Sequence, residues 1–206
     1  MKQPRLSLLV ELLILALVSL ISFSGCQHTP KAGSFTEAPA ASMTEADLKA
    51  LARLQQFEVS GKLAFKQGDK GGNAKFTWAQ KGQDYALRLL NPFGGEEALM
   101  VFAKNEPRLK FPNEDWVSGE DLTRVFEAHV GWMLPFKYMT YWIKGMPVPK
   151  MPYQFSATEH GYRIIQGTWI IDCESLQTYQ GLKVPGRMVF QHKEDNRRLK
   201  LVLQWS

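Results

Sequence analysis

The sequence predicts a mainly β protein with inserted helices, an antiparallel sheet that curls and is plugged by the inserted segment. Three observations predict it. From Phe57 apolar residues recur at every second position, in runs bounded by Gly, Asn and Pro; beyond Ser118 the spacing becomes helical; from Tyr162 the alternation returns. Helices set between two runs of strands belong on one face or one end of a sheet, not between parallel strands. No internal repeat is visible.

The chain starts with a targeting segment. Lys2 and Arg5 give a positive start, Leu12 to Ile21 an uninterrupted small-and-apolar run, and Ser24-Gly25 precede Cys26. That run is shorter than the roughly 20 residues needed to span a bilayer. Small residues before a cysteine, followed by a polar stretch, resemble the lipobox of bacterial lipoproteins. The resemblance implies cleavage after residue 25, removing 1–25, and triacylation of Cys26, a covalent lipid in place of any cofactor. Phe23 stands where leucine is usual, and Glu11 interrupts the apolar region. Two or more acyl chains make a stable anchor where one is marginal. In lipoprotein families Asp after the cysteine favours retention in the inner membrane, so Gln27 implies the outer one, with the domain facing the periplasm of a Gram-negative bacterium.

Residues 26–42 are rich in Pro, Ala, Ser and Thr and read as a flexible tether. Residues 43–206 then form one domain, large enough for a real core. It opens with a helix predicted from about Thr44 to Gln56, capped by Thr44, with Leu48, Leu51 and Leu54 on one face. Phe57, Val59, Leu63 and Phe65 form the inward side of the first strand. A Gly-rich turn at Gly68 to Gly72 leads to Ala74, Phe76 and Trp78, and Gly82 turns the chain into Tyr85, Leu87 and Leu89. A fourth strand, Ala98 to Ala103, follows the turn Asn91-Pro92-Phe93-Gly94-Gly95, and a fifth lies near Arg108 to Phe111.

Ser118 is the expected cap of a helix carrying Leu122, Val125, Phe126 and His129 and ending near Gly131. A second helix, about Phe136 to Lys144, presents Met139, Trp142 and Ile143 and stops at Gly145, before Pro147 and Pro149. Strands are expected at Tyr162 to Ile165, Gly167 to Ile171, Arg187 to His192 and Leu199 to Trp205.

Of the two cysteines, Cys173 is left without an intramolecular partner, and its flanking Asp172 and Glu174 disfavour a thiolate, so it reads as buried and inert. The net charge of +5 is mild and scattered, which suits a surface near anionic lipid and gives no nucleic-acid patch. Lys62, Lys75 and Arg88 suit either a partner's face or plain solvation. Catalytic signatures are missing: no Gly-x-Ser-x-Gly, no His-Glu-x-x-His, no phosphate loop and no Cys/His spacing for zinc. His28, His129, His160 and His192 are widely spaced; His129, on an apolar helix face, reads as a core group. The expectation is neither an enzyme nor a metal protein.

The runs Phe57-Glu-Val-Ser-Gly-Lys-Leu-Ala-Phe65 and Phe76-Thr-Trp-Ala-Gln-Lys-Gly-Gln-Asp-Tyr85, the turn Asn91-Pro-Phe-Gly94 and Trp142-Ile-Lys-Gly-Met-Pro147 together resemble the LolB family of outer-membrane lipoprotein receptors. The resemblance covers the whole mature domain. It implies an open, strongly curved antiparallel β-barrel with a helical lid. Its apolar interior would take the acyl chains of lipoprotein cargo from a periplasmic LolA-like carrier and deliver them to outer-membrane lipid, the protein acting as a monomer.

Aromatics make up 12% of the chain and cluster at inward positions, so the acyl-chain cavity is expected to involve Phe65, Phe76, Trp78, Tyr85, Leu87, Phe102, Met139, Trp142 and Trp169. Each is also an ordinary core residue, and a barrel lined by large side chains can equally be full. Pro92 and Gly94 place Phe93 at a loop tip. Phe93 either folds back or enters a membrane; the resemblance, in which an apolar residue at the matching position is functional, favours insertion. Pro135-Phe136 and Gly145-Met146-Pro147 bracket the second helix, which is either a mobile lid or a fixed plug. The alternative function is a structural or small-apolar-ligand-binding lipoprotein without insertion activity.

Overall fold

The computed structural model describes residues 43–119, 122–133 and 135–206. The signal segment, Cys26 and the tether lie outside the described residues. Thr44 caps α1 (Glu45–Leu51) through a reciprocal box: its hydroxyl accepts from the Asp47 amide and the Asp47 carboxylate accepts from the Thr44 amide. This helix stops well before Gln56. Leu51 and Leu54 are buried, and the chain turns directly into the first strand.

The first half of the sheet is a meander: β1 (Gln56–Gln67), β2 (Lys70–Lys81), β3 (Asp84–Leu90), β4 (Glu96–Ala103), β5 (Glu106–Lys110) and a two-residue β6 (Val117–Ser118). Helices α2 (Leu122–Val130) and α3 (Phe136–Trp142) follow. The second half comprises β7 (Tyr153–Thr158), β8 (Gly161–Gln166), β9 (Trp169–Glu174), β12 (Arg187–His192) and β13 (Arg198–Trp205), with a separate hairpin of β10 (Gln177–Tyr179) and β11 (Leu182–Val184). The eleven-stranded antiparallel sheet runs β6-β5-β4-β3-β2-β1-β13-β12-β9-β8-β7, so its first and last long strands meet in the middle and its edges stay unjoined. Gly61 is needed at that central seam: a Cβ there would sit 1.9 Å from the Val202 carbonyl oxygen.

Alternation buries one face. Phe76, Trp78, Leu87, Leu89, Met100, Leu109, Tyr162, Ile164, Ile171, Met188, Phe190, Leu201 and Leu203 all join one apolar cluster. The helices cover it, and the sheet has to curl for one helix to reach both halves. Gln80 on β2 donates to the Thr140 carbonyl at 3.3 Å, while Gln166 on β8 accepts from the Trp142 indole at 2.9 Å. In a flat sheet those strands, five spacings apart, would be separated by about 24 Å; α3 is only about 10 Å long.

Several elements differ from the sequence expectation. Ser118 lies in β6, paired with Arg108, instead of capping a helix. Gly71 and Gly72 belong to β2, because the turn needs only Gly68 and Asp69. Gly167 is a turn residue at φ +57, so β9 starts at Trp169. α3 ends at Trp142, two residues before Lys144. Val125 is exposed, and His129 is an exposed group stacked on Phe111 at 3.5 Å, not a core residue. The edge strand β7 and the β10–β11 hairpin carry weak alternation and escape a reading of the sequence. Arg88 pairs with Glu96 at 2.7 Å on the outer surface.

Gln166 is buried and uses all its capacity: its oxygen accepts from the Trp142 indole and the Val148 amide, and its amide donates to the Val148 and Met151 carbonyls. Gln166→Leu leaves those groups unpaired and is expected to cost at least about 3 kcal/mol, read by urea denaturation. Cys173 is fully buried, and burial pushes its thiol from 9.0 up to about 12. The unfolded chain releases that proton from pH 9.0 upward and the folded chain keeps it. The thiol's contribution is therefore complete below pH 9.0 and is lost as pH climbs towards about 12. Urea midpoints should fall more steeply above pH 9 in the parent than in Cys173→Ala; equal slopes would contradict this.

Candidate functional site

The cavity-facing residues expected from the sequence separate into three places. Trp78, Tyr85 and Phe102 form one ladder of parallel rings across β2, β3 and β4, with centroids 4.5 and 5.5 Å apart. Its outer end opens into a groove of about 410 Å³ lined mainly by Tyr85, Met100, Phe102, Leu122, Phe136, Tyr138 and Val148, with Gln83, Lys137 and Thr140 among its polar residues. Burial alone pushes the Tyr85 hydroxyl up to about 12, as expected of a phenol set against an apolar wall.

Deeper, Phe76, Trp78, Leu87 and Met139 meet Leu63, Ile143 and Leu201 around a void of only about 10 Å³. That is about the room one water needs. The interior is filled because α3 fills it. Met139 enters from the helix and Ile143 from its C-terminal cap, and Trp142, fully buried, lies within 4.9 to 6.1 Å of the Tyr138, Trp169 and Phe190 rings. In this structure α3 is therefore a plug. Phe65 lies at a second void of about 10 Å³ beside Trp132, on which it stacks at 5.0 Å, and Trp169 borders that void while also contacting Trp142.

Three polar residues hold the plug, and reading the sequence for apolar patterns missed all of them. Gln80 accepts from the Trp78 indole at 3.1 Å and donates to the Gly82 and Thr140 carbonyls. Gln166 grips the other side as described. Lys144, buried just past α3, donates to the Leu54 carbonyl at 3.2 Å and lies 5.9 and 5.8 Å from the Phe57 and Tyr141 ring centroids. Burial lowers its ammonium below the ordinary lysine value. A signal was available: Gln80 and Gln166 occupy inward positions, two residues after Trp78 and Ile164. A buried polar group at such a position needs partners. A larger hollow of about 780 Å³ adjoins Tyr85 and Phe102, but it opens at the strand ends and is rimmed by Glu58, Lys81 and Asp84, so the smaller groove is the better apolar site.

Phe93 is 98% exposed. It does not fold back. The Asn91 carboxamide oxygen accepts from the Phe93 and Gly95 amides at 3.0 Å each, the Asn91 amide donates to the Gly95 carbonyl at 2.8 Å, and the Gly94 amide donates to the Asn91 carbonyl at 2.9 Å. Gly94 has φ +96, and a Cβ on Gly95 would sit 2.7 Å from the Asn91 side chain. Asn91, more than Pro92, thus holds the tip. Asn91→Ala removes two of these bonds, each worth about 1 kcal/mol. Amide exchange at Phe93 and Gly95 is expected to accelerate in that variant while the core amides stay protected.

Residues 55–205 match the family model described as outer membrane lipoprotein LolB. The outer-membrane lipoprotein LolB of Nitrosococcus oceani is 26% identical over 98% of this chain and 97% of its own length, and that of Cellvibrio japonicus 23% identical over 93% and 95%. In fold, the chain is similar to a LolA superfamily protein from Nitrosomonas europaea, with TM-score 0.50 and 7% identity over 79% of this chain and 91% of that one. An unclosed sheet plugged by α3, matched to the family model across nearly all of its described residues, belongs to the outer membrane lipoprotein LolB family.

Proposed function

We propose that the protein is the outer-membrane receptor for lipoproteins: it takes them from a soluble periplasmic LolA-like carrier, shelters their acyl chains beneath α3 and releases them into the outer membrane. The observation that carries this reading is the apolar groove under a helix whose own side chains occupy the deeper interior. Acyl chains entering from the groove would displace Met139, Trp142 and Ile143, exchanging one apolar filling for another. Each sequestered CH₂ contributes about 0.8 kcal/mol, so about ten methylenes offset the loss of three buried side chains at roughly 1.5–3 kcal/mol each. No bond is made or broken, and transfer needs only a difference in affinity between carrier and receptor.

A triacylated Cys26 and the tether 26–42 would keep the domain at the bilayer that receives the cargo. Phe93 is the membrane-entering residue in this reading, with Pro92 and Gly94 shaping its loop; an exposed aromatic on a rigid tip suits the interfacial zone. The nearly filled deep interior favours a second reading, a scaffold that never admits lipid. Mixing the mature protein with carrier loaded with radiolabelled lipoprotein separates the two, because only the receptor takes up label. Phe93→Glu is expected to accept label normally and to lose its release into liposomes; normal release would remove Phe93 from the mechanism.

A further inference from the structure

The two edges of the sheet are unlike. β6 is two residues long and the chain leaves it for α2, which blunts that edge. β7 is six residues long, reads Tyr-Gln-Phe-Ser-Ala-Thr, and contains neither charge nor proline, the usual devices against strand addition. Among the described residues no strand pairs with its outer side. Thr158 and Gly161 close a two-residue hairpin, and that closing pair exchanges both main-chain bonds. Ala157, Phe155 and Tyr153 therefore turn their amides and carbonyls away from β8. The side chains on the core-facing side are also incompletely covered: Tyr153 is 50% exposed, and Phe155 is half-buried, stacked on Tyr162 at 5.0 Å.

This edge begins beside the groove. Val148 is one of the groove's lining residues, the Gln166 side chain holds the Val148 and Met151 backbone, and Gln166 is the register partner of Tyr153, the first residue of β7. We propose that β7 binds the extended peptide that follows the lipidated cysteine of a cargo lipoprotein, as an added strand, while the acyl chains occupy the groove. This rests on the receptor reading above. Main-chain pairing reads no side chains. It therefore suits a receptor whose cargoes share a lipidated cysteine and differ in the sequence after it.

The test uses the mature chain from residue 26 with Cys26→Ala, and two probes: a tripalmitoyl-cysteine peptide with an uncharged tail as long as β7, and tripalmitoyl-cysteine amide without a tail. Both are expected to displace an acyl-chain fluorophore. Only the tailed probe should slow amide exchange at Ala157 and Phe155, by about tenfold or more. Ala157→Pro should weaken the tailed probe about tenfold and leave the tail-less probe unchanged. Displacement without protection at β7 overturns this proposal and leaves the receptor reading standing, whereas failure of both probes to displace the fluorophore overturns the receptor reading itself. Protection already present without probe also overturns it: if lost on deleting residues 27–42 the chain's own tether is the occupant, and if it grows with protein concentration a second copy is.

Discussion

A sheet with one apolar face and two unjoined edges must bury that face against something other than itself. Here the burden falls on α3, a seven-residue helix too short to be stable alone. It is held by its surroundings: Gln80 from one half of the sheet, Gln166 from the other, and Lys144 back to Leu54. These contacts are polar and directional, while those beneath the helix are apolar and interchangeable. The hydrogen bonds therefore fix where the plug sits, whereas the apolar contacts beneath it are not specific to its own side chains.

That division of labour matches the proposed exchange of side chains for acyl chains. The aromatic ladder of Trp78, Tyr85 and Phe102 is built from the sheet alone, so this apolar wall does not depend on α3. The Asn91 loop is independent again. Its bonds are all internal, so Phe93 is presented whether or not the interior is occupied.

Much of the architecture was legible because apolar alternation is a direct record of one-sided burial. The strands containing Phe76, Tyr85 and Leu201 announce themselves in this way, and the helical spacing of Met139, Trp142 and Ile143 marks the plug. β7 did not announce itself, since an edge strand half covered on one face has no sharp alternation to show. Ser118 and His129 misled for a related reason: a residue type that suits a cap or a core says nothing about the neighbours that claim it first, here β5 and Phe111. The list of cavity residues mixed three environments, because an inward direction is written in the sequence and the distance between two inward residues is not. Composition alone leaves Phe93 even between folding back and projecting outward, the family resemblance favours projection, and the structure shows the ring exposed on a tip held by the Asn91 bonds.

The central seam between β1 and β13 joins the beginning of the domain to its end, from Val59 against Trp205 to Lys66 against Arg198. Neither half of the sheet can acquire its middle neighbour until β13 is available, so a chain lacking that strand presents two unfinished half-sheets with greasy faces. Such long-range pairing slows folding and lengthens exposure to aggregation. Assembly of the sheet therefore waits on β13, and truncation within that strand would strike at the middle of the molecule, not its margin.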